Sequence, residues 1–188
     1  TLNGDWGTLQ SFVLPYFRER NYAGIDGRLR LPVPVAEHQV QYQSSQRQQA
    51  IDYAVRYSQQ IEQLDVALSY FDGTGREPWL QLSPDTTLLL PYYQQIRQFG
   101  LELQYIYDSW IWKLEGIAQH NPQQNYQALV AGFEYTSVGI LDSVYDLGWL
   151  MEYQYDSRGM QASSIAQRDL FVGWRLALND EAGSELLI

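Results

Sequence analysis

Apolar and polar side chains alternate with period 2 over unusually long runs of this chain. From Phe99, one side carries Phe99, Leu101, Leu103, Tyr105 and Tyr107, while Gln98, Gly100, Glu102 and Gln104 fall on the other. Such alternation is the mark of a strand with two chemically different faces. The next run sends Trp110, Trp112 and Leu114 one way and Lys113, Glu115 and Gln119 the other, with Ile111 and Ile117 as exceptions on the polar side. Asp108 and Ser109 suit a tight turn between the two runs. A second hairpin reads from Ile51, Tyr53, Val55 and Tyr57 through a turn at Ile61 to Gln63 into Leu64, Val66, Leu68 and Tyr70. A third pairs Leu129, Ala131, Phe133 and Tyr135 with Leu147, Trp149, Met151, Tyr153 and Tyr155. Leu170, Val172, Trp174, Leu176 and Leu178 form a further run. The first, from Trp6 to Arg20, is broken by Pro15, which places it at an edge or bulge near a rim.

The connections differ in length. Those at Ile61 to Gln63, Asp108 to Ser109 and Asn179 to Ser184 are tight, whereas Tyr22 to Gln48 and Gly73 to Leu90 are too long for hairpin turns in a compact sheet. Short turns at one end and long loops at the other are the habit of outer-membrane barrels. The expected fold is therefore all-β: an antiparallel up-and-down transmembrane β-barrel of about eight strands, residues 1–188 forming one domain. A soluble antiparallel barrel or sandwich has the same two-faced strands and is the alternative. Clean runs of about nine to eleven residues favour the membrane, because soluble strands average about five or six.

Composition strengthens this reading. Aromatic residues make up 14% of the chain, with 15 Tyr and 6 Trp, and they gather towards strand ends as an interfacial girdle does. The net charge of -10 argues against nucleic acid as a partner. No cysteine is present, so no disulfide framework or thiolate metal site is expected.

Runs such as Phe133-Glu134-Tyr135-Thr136 and Asp146-Leu147-Gly148-Trp149-Leu150-Met151-Glu152-Tyr153 resemble strands of porin-like outer-membrane proteins of Gram-negative bacteria. The resemblance is architectural and extends over nearly the whole chain. It implies location in the outer membrane, contact with its lipid and lipopolysaccharide, and passive passage of small solutes. The chain departs from a complete member of that group: no leader precedes Thr1, and a new apolar run starting at Leu186 stops at Ile188. The residues are thus expected to form one arc of a larger barrel with open edges.

The polar face holds Asp52, Arg56, Asp65, Glu102, Lys113, Glu115, Glu134, Glu152 and Arg175. Arg56, Glu102, Lys113, Glu115, Glu134, Glu152 and Arg175 are the candidate pore-lining residues, with Arg56 and Arg175 the candidates for a constriction. For any one of them, a solvated or mutually paired polar face without selectivity is the plainer alternative. Catalysis finds little support. His38 and His120 sit in glutamine-rich, loop-like surroundings, and Ser163 and Ser164 lack a motif. Asp72-Gly73-Thr74-Gly75 lacks the ligand spacing of a calcium loop and reads as a tight turn. The expectation is no catalytic residue, no metal and no cofactor. Arg28-Leu29-Arg30 is small for a polyanion site but suits lipopolysaccharide phosphate on an extracellular loop. Three functions stay open, in this order: a channel, a non-conducting barrel that displays loops to a protein or lipopolysaccharide partner, and an enzyme.

Overall fold

Alternation of this length forms strands because each backbone pairs with a neighbour while the two side-chain sets separate onto opposite faces. The computed structural model describes residues 1–24, 26–162 and 164–188. Its strands are β1 (Leu2–Gly4), β2 (Gly7–Leu14), β3 (Gln41–Tyr42), β4 (Asp52–Ile61), β5 (Leu64–Thr74), β6 (Trp79–Leu82), β7 (Leu89–Tyr93), β8 (Gln95–Tyr107), β9 (Trp110–His120), β10 (Asn125–Ser137), β11 (Asp146–Asp156), β12 (Arg168–Ala177) and β13 (Glu185–Leu187). Ten of them make one antiparallel sheet in the order β1-β2-β4-β5-β8-β9-β10-β11-β12-β13. Among the described residues β1 and β13 each pair on one side only, so the sheet is open. That is more strands than the eight expected, because two short edge strands join it.

Short turns and long connections separate to opposite ends in the first half of the sheet, but not at β9–β10, joined through residues 121–124, or β10–β11, joined through residues 138–145. Glu62-Gln63 and Asp108-Ser109 close two-residue hairpins, and their first residues take φ of 53° and 52°. At the opposite end the chain runs from Pro15 to Ile51 between β2 and β4, and from Gly75 to Gln94 between β5 and β8. Pro15 follows directly on the last residue of β2, as a residue without an N–H requires.

Register carries the face pattern across the whole sheet. One row runs Leu9, Tyr57, Leu68, Leu101, Gly116, Leu129 and Tyr155. The next runs Val66, Leu103, Leu114, Ala131, Tyr153 and Leu170. At the short-turn end Tyr107, Trp110, Tyr135, Trp149 and Trp174 form an aromatic row. Within it Trp110 and Tyr135 lie 4.5 Å apart between ring centroids, and Trp149 and Trp174 5.9 Å. At the other end the row is charged or polar from β5 to β10, with Asp72, Arg97, His120 and Asn125, and continues through Tyr53 and Val13 on β4 and β2. Between these limits β8 presents only Phe99, Leu101, Leu103, Tyr105 and Tyr107, about 26 Å of strand at roughly 3.3 Å per residue.

The rows also slide along the strands. The row through Tyr57, near the middle of β4, meets β12 at Arg168, that strand's first residue. A stagger of roughly one residue per strand, at about 3.3 Å per residue and about 4.8 Å between strands, corresponds to a tilt on the order of 30°.

The two long connections, read from sequence as loops, fold together instead. β6 pairs antiparallel with β7, and β3 adds in parallel to make a three-stranded sheet, order β3-β7-β6. Phe17 N donates to Gln48 O at 2.7 Å, and Arg20 N donates to Tyr93 Oη at 2.8 Å. Phe17 and Tyr93 are fully buried, their ring centroids 4.7 Å apart. Each such buried side chain contributes about 1.5–3 kcal/mol. This cap sits on the polar side of the large sheet, since Arg76 lies over Phe17 at 4.8 Å and over the polar-face Phe71 at 5.7 Å.

Cap tyrosines give a pH prediction. Burial, with the neighbouring Tyr93 next in effect, pushes Tyr22 up to about 12. Burial and a hydrogen bond to the Glu19 carboxylate raise Tyr42 further, and burial raises Tyr93. Folded values above the ordinary 10 stabilise the cap fully below pH 10, and that contribution fades as pH climbs through 12. Tyrosinate absorbance is expected to rise with a late, cooperative step in which near-ultraviolet circular dichroism falls while the far-ultraviolet strand signal persists. Phenols titrating near pH 10 with no such step would contradict the buried cluster.

Candidate functional site

The register brings all seven candidate pore-lining residues onto one face. Arg56 stands opposite Ser69, which stands opposite Gly100; Glu102, two positions on, faces Glu115; Lys113 faces Gly132, and Gly132 faces Glu152. Glu134 and Arg175 lie on the same face nearer the short-turn end, where Arg175 pairs with Gly148. Arg56 Nη2 meets Glu102 Oε2 at 2.7 Å with both side chains at least a third exposed. Lys113 Nζ pairs with Glu134, and Gln154 Nε2 donates to Glu152 at 2.7 Å. Asp65, Glu115 and Arg175 make no ion pair among the described residues. Exposed pairs of this kind add about 0–1 kcal/mol each, so the row is chiefly a hydrated, net acidic surface. An open depression of about 510 Å3 lies over it, floored by Arg56, Asp65, Glu102, Lys113 and Glu115.

Two other readings change. Asp52 belongs to the polar face by register but does not line open space, because the cap buries it completely. Its Oδ1 accepts from Thr74 N at 2.8 Å, and Arg76 Nη2 lies 3.0 Å from its Oδ2. Gly73 is glycine for the same reason, since a Cβ there would meet the Asp52 side chain at 2.4 Å. Asp72, Gly73 and Thr74 accordingly end β5 in register with β8 and are not a turn. His120 is the last residue of β9, beside Asn125 Oδ1 across the hairpin, and not part of a loop. Ser164 Oγ accepts from Ala166 N in a local turn, and Ser163 lies outside the described residues.

A second concave site had no counterpart in the sequence reading. Where the cap meets the ends of β9, β10 and β11, a cleft of about 700 Å3 is lined by Trp79, Gln94, Gln119, Gln123, Tyr126 and Arg158 among others. Gln119 and Tyr126 reach it from the polar face, where the Tyr126 hydroxyl donates to Gln119 Oε1 at 3.0 Å. Arg158 lies 3.8 Å from the Tyr126 ring, is held by Asp156 at 2.7 Å and approaches Glu77 at 3.7 Å. The glutamines that signal it are scattered through turns and strand ends, so no spacing announces them.

The opposite, apolar face is bare. Leu68, Phe99, Trp112, Leu170 and Val172 are between 48% and 62% exposed. The small residues Gly116 and Ala118 leave a shallow groove of about 650 Å3 bordered by Leu68, Tyr70, Leu101 and Leu129.

No family model, curated protein or solved structure matches this chain.

Proposed function

We propose that the ten-stranded sheet is wall of an outer-membrane β-barrel in a Gram-negative bacterium, and that its polar face lines a water-filled passage for small solutes. One observation carries this reading. The long connections, which in a water-soluble sheet would cover the apolar face, fold onto the polar face and leave the apolar rows exposed between an aromatic row and a polar one. Exposed apolar surface of that extent requires a partner, and an oblique band about 25 Å tall flanked by aromatics fits lipid hydrocarbon. The stagger of the rows supports closure, since barrel strands tilt by about 35–45°. In this reading further strands complete the wall between β1 and β13, and the groove at Gly116 takes a lipid chain. The two-residue turns point to the periplasm. The cap faces outward, where Arg28 and Arg30 meet lipopolysaccharide phosphate.

Conductance tests it. The protein with its wall closed by those further strands is expected to give discrete steps in planar bilayers with a cation preference, because carboxylates outnumber cations on the polar face. Lys113→Glu is expected to strengthen that preference severalfold. Absence of steps would move the display reading ahead. That second reading has its own support, because the cap lies over the polar face and narrows or plugs the passage there. If a plug is the cause, loosening the cap with Asp52→Ala opens a conductance that the unaltered protein lacks.

A further inference from the structure

The cleft between the cap and the ends of β9, β10 and β11 has the chemistry of a site for an uncharged, hydroxyl-rich ligand, and we propose that it binds a neutral oligosaccharide. Its volume of about 700 Å3 falls within the roughly 300–1,000 Å3 of small-molecule sites. Six amides line it: Gln94, Gln119, Asn121, Gln123, Gln124 and Gln161. Gln94 is only 8% exposed, and its buried Nε2 has no hydrogen-bond partner among the described residues. A buried amide N–H left unmade costs about 1–3 kcal/mol, and because Gln94 lines the cleft, a rotation of its side chain toward a ligand acceptor would relieve that cost.

The remaining amides are half used. Asn121 Oδ1 accepts from the backbone of Gln123 and Gln124, and Gln119 Oε1 accepts from Tyr126, which leaves both NH2 groups to donate elsewhere. The Gln123 side chain makes no hydrogen bond among the described residues. Donors and acceptors interleaved at this density match hydroxyl groups, each of which does both.

Charge argues against an ionic ligand. Arg76 is held by the buried Asp52, and Arg158 is shared between Asp156, Glu77 and the Tyr126 ring. Arg158 is enclosed by these partners, and Arg76, though half exposed, has its charge balanced by Asp52, so a phosphate or a uronate gains little net attraction here. Trp79, 51% exposed at the cleft, supplies the flat apolar surface on which the C–H face of a pyranose stacks. The inference is local to this cleft and does not require the sheet to conduct.

Calorimetric titration of the full chain in detergent with maltohexaose, cellohexaose and laminarihexaose tests it, with hexagalacturonate and inorganic phosphate as charged probes. At least one neutral hexasaccharide is expected to bind saturably and both charged probes to bind more weakly. Trp79→Ala is expected to lower that affinity about tenfold or more. Because Trp79 lies in β6 and its loss threatens the cap, Gln123→Ala in the β9–β10 turn is the second variant, with a loss of severalfold and an unchanged circular dichroism spectrum. No binding of any neutral hexasaccharide, stronger binding of a charged probe, or binding indifferent to both substitutions would overturn the proposal. Saccharide binding without conductance sinks the channel alone, and conductance without saccharide binding sinks this site alone.

Discussion

Replacing Leu103 by arginine is expected to cost about 2–4 kcal/mol of folding stability in a phospholipid bilayer, the price of a charge near the midplane. Leu103 is the central member of the apolar set on β8, flanked in its row by Val66 and Leu114. Gln154→Arg puts the same side chain on the polar face opposite Asp169 and Val130 and is expected to change stability by less than about 0.5 kcal/mol. The two free energies come from urea titrations of folding into thin phosphatidylcholine vesicles. Similar costs at both positions would contradict the division into lipid and water faces. A large cost for Gln154→Arg with none for Leu103→Arg would invert it.

The second large effect concerns the cap. Asp52→Ala removes a fully buried carboxylate, strips Thr74 N of its acceptor and releases Arg76 from its place over Phe17. Arg76 is half exposed and regains water, so the loss is that of an unsatisfied buried N–H and a broken pair, about 2–3 kcal/mol. The loss falls on the cap and not on the sheet. Exchange of the Phe17, Gln43 and Gly75 amides, all hydrogen-bonded within the cap or to it, is expected to quicken about 30-fold or more, while amides of β9 and β10 hold their protection. Uniform loss of protection across both would show that the cap and the sheet open as one unit.

The hairpins were legible because their information is local. The β8–β9 pair is specified by alternation on both sides of Asp108-Ser109, with Ile111 and Ile117 as exceptions, and a slip of one residue would drive Glu102 and Lys113 onto the apolar face. The same alternation read within each run sets Arg56, Glu102, Glu134 and Arg175 opposite the apolar set of its own strand, which is what assigns them to one face. The cap was not legible for the opposite reason. β7 carries Pro91 and a run of consecutive leucines, β3 has two residues, and the contacts that order them join Phe17 to Tyr93 and Gln43 to Tyr93 from distant parts of the chain. Asp52 shows the limit most plainly. Its alternation is that of Asp65 or Glu102, yet it is sealed while they are not, because burial depends on which connection folds over it. The amide cleft escaped for the same reason, as its walls meet only once the cap is in place.

The absence of native cysteine makes the two faces of the wall directly measurable. Single spin-labelled cysteines at each position from Phe99 to Tyr105, in protein folded into bilayers, report access to oxygen, which concentrates in lipid, and to a water-soluble nickel chelate. Oxygen access is expected at Phe99, Leu101, Leu103 and Tyr105 and nickel access at Gly100, Glu102 and Gln104, alternating with period 2. Labels at Leu101 and Leu103 shielded from both reagents, or open to nickel, would contradict the two-faced wall and place the apolar face in a protein core or in water.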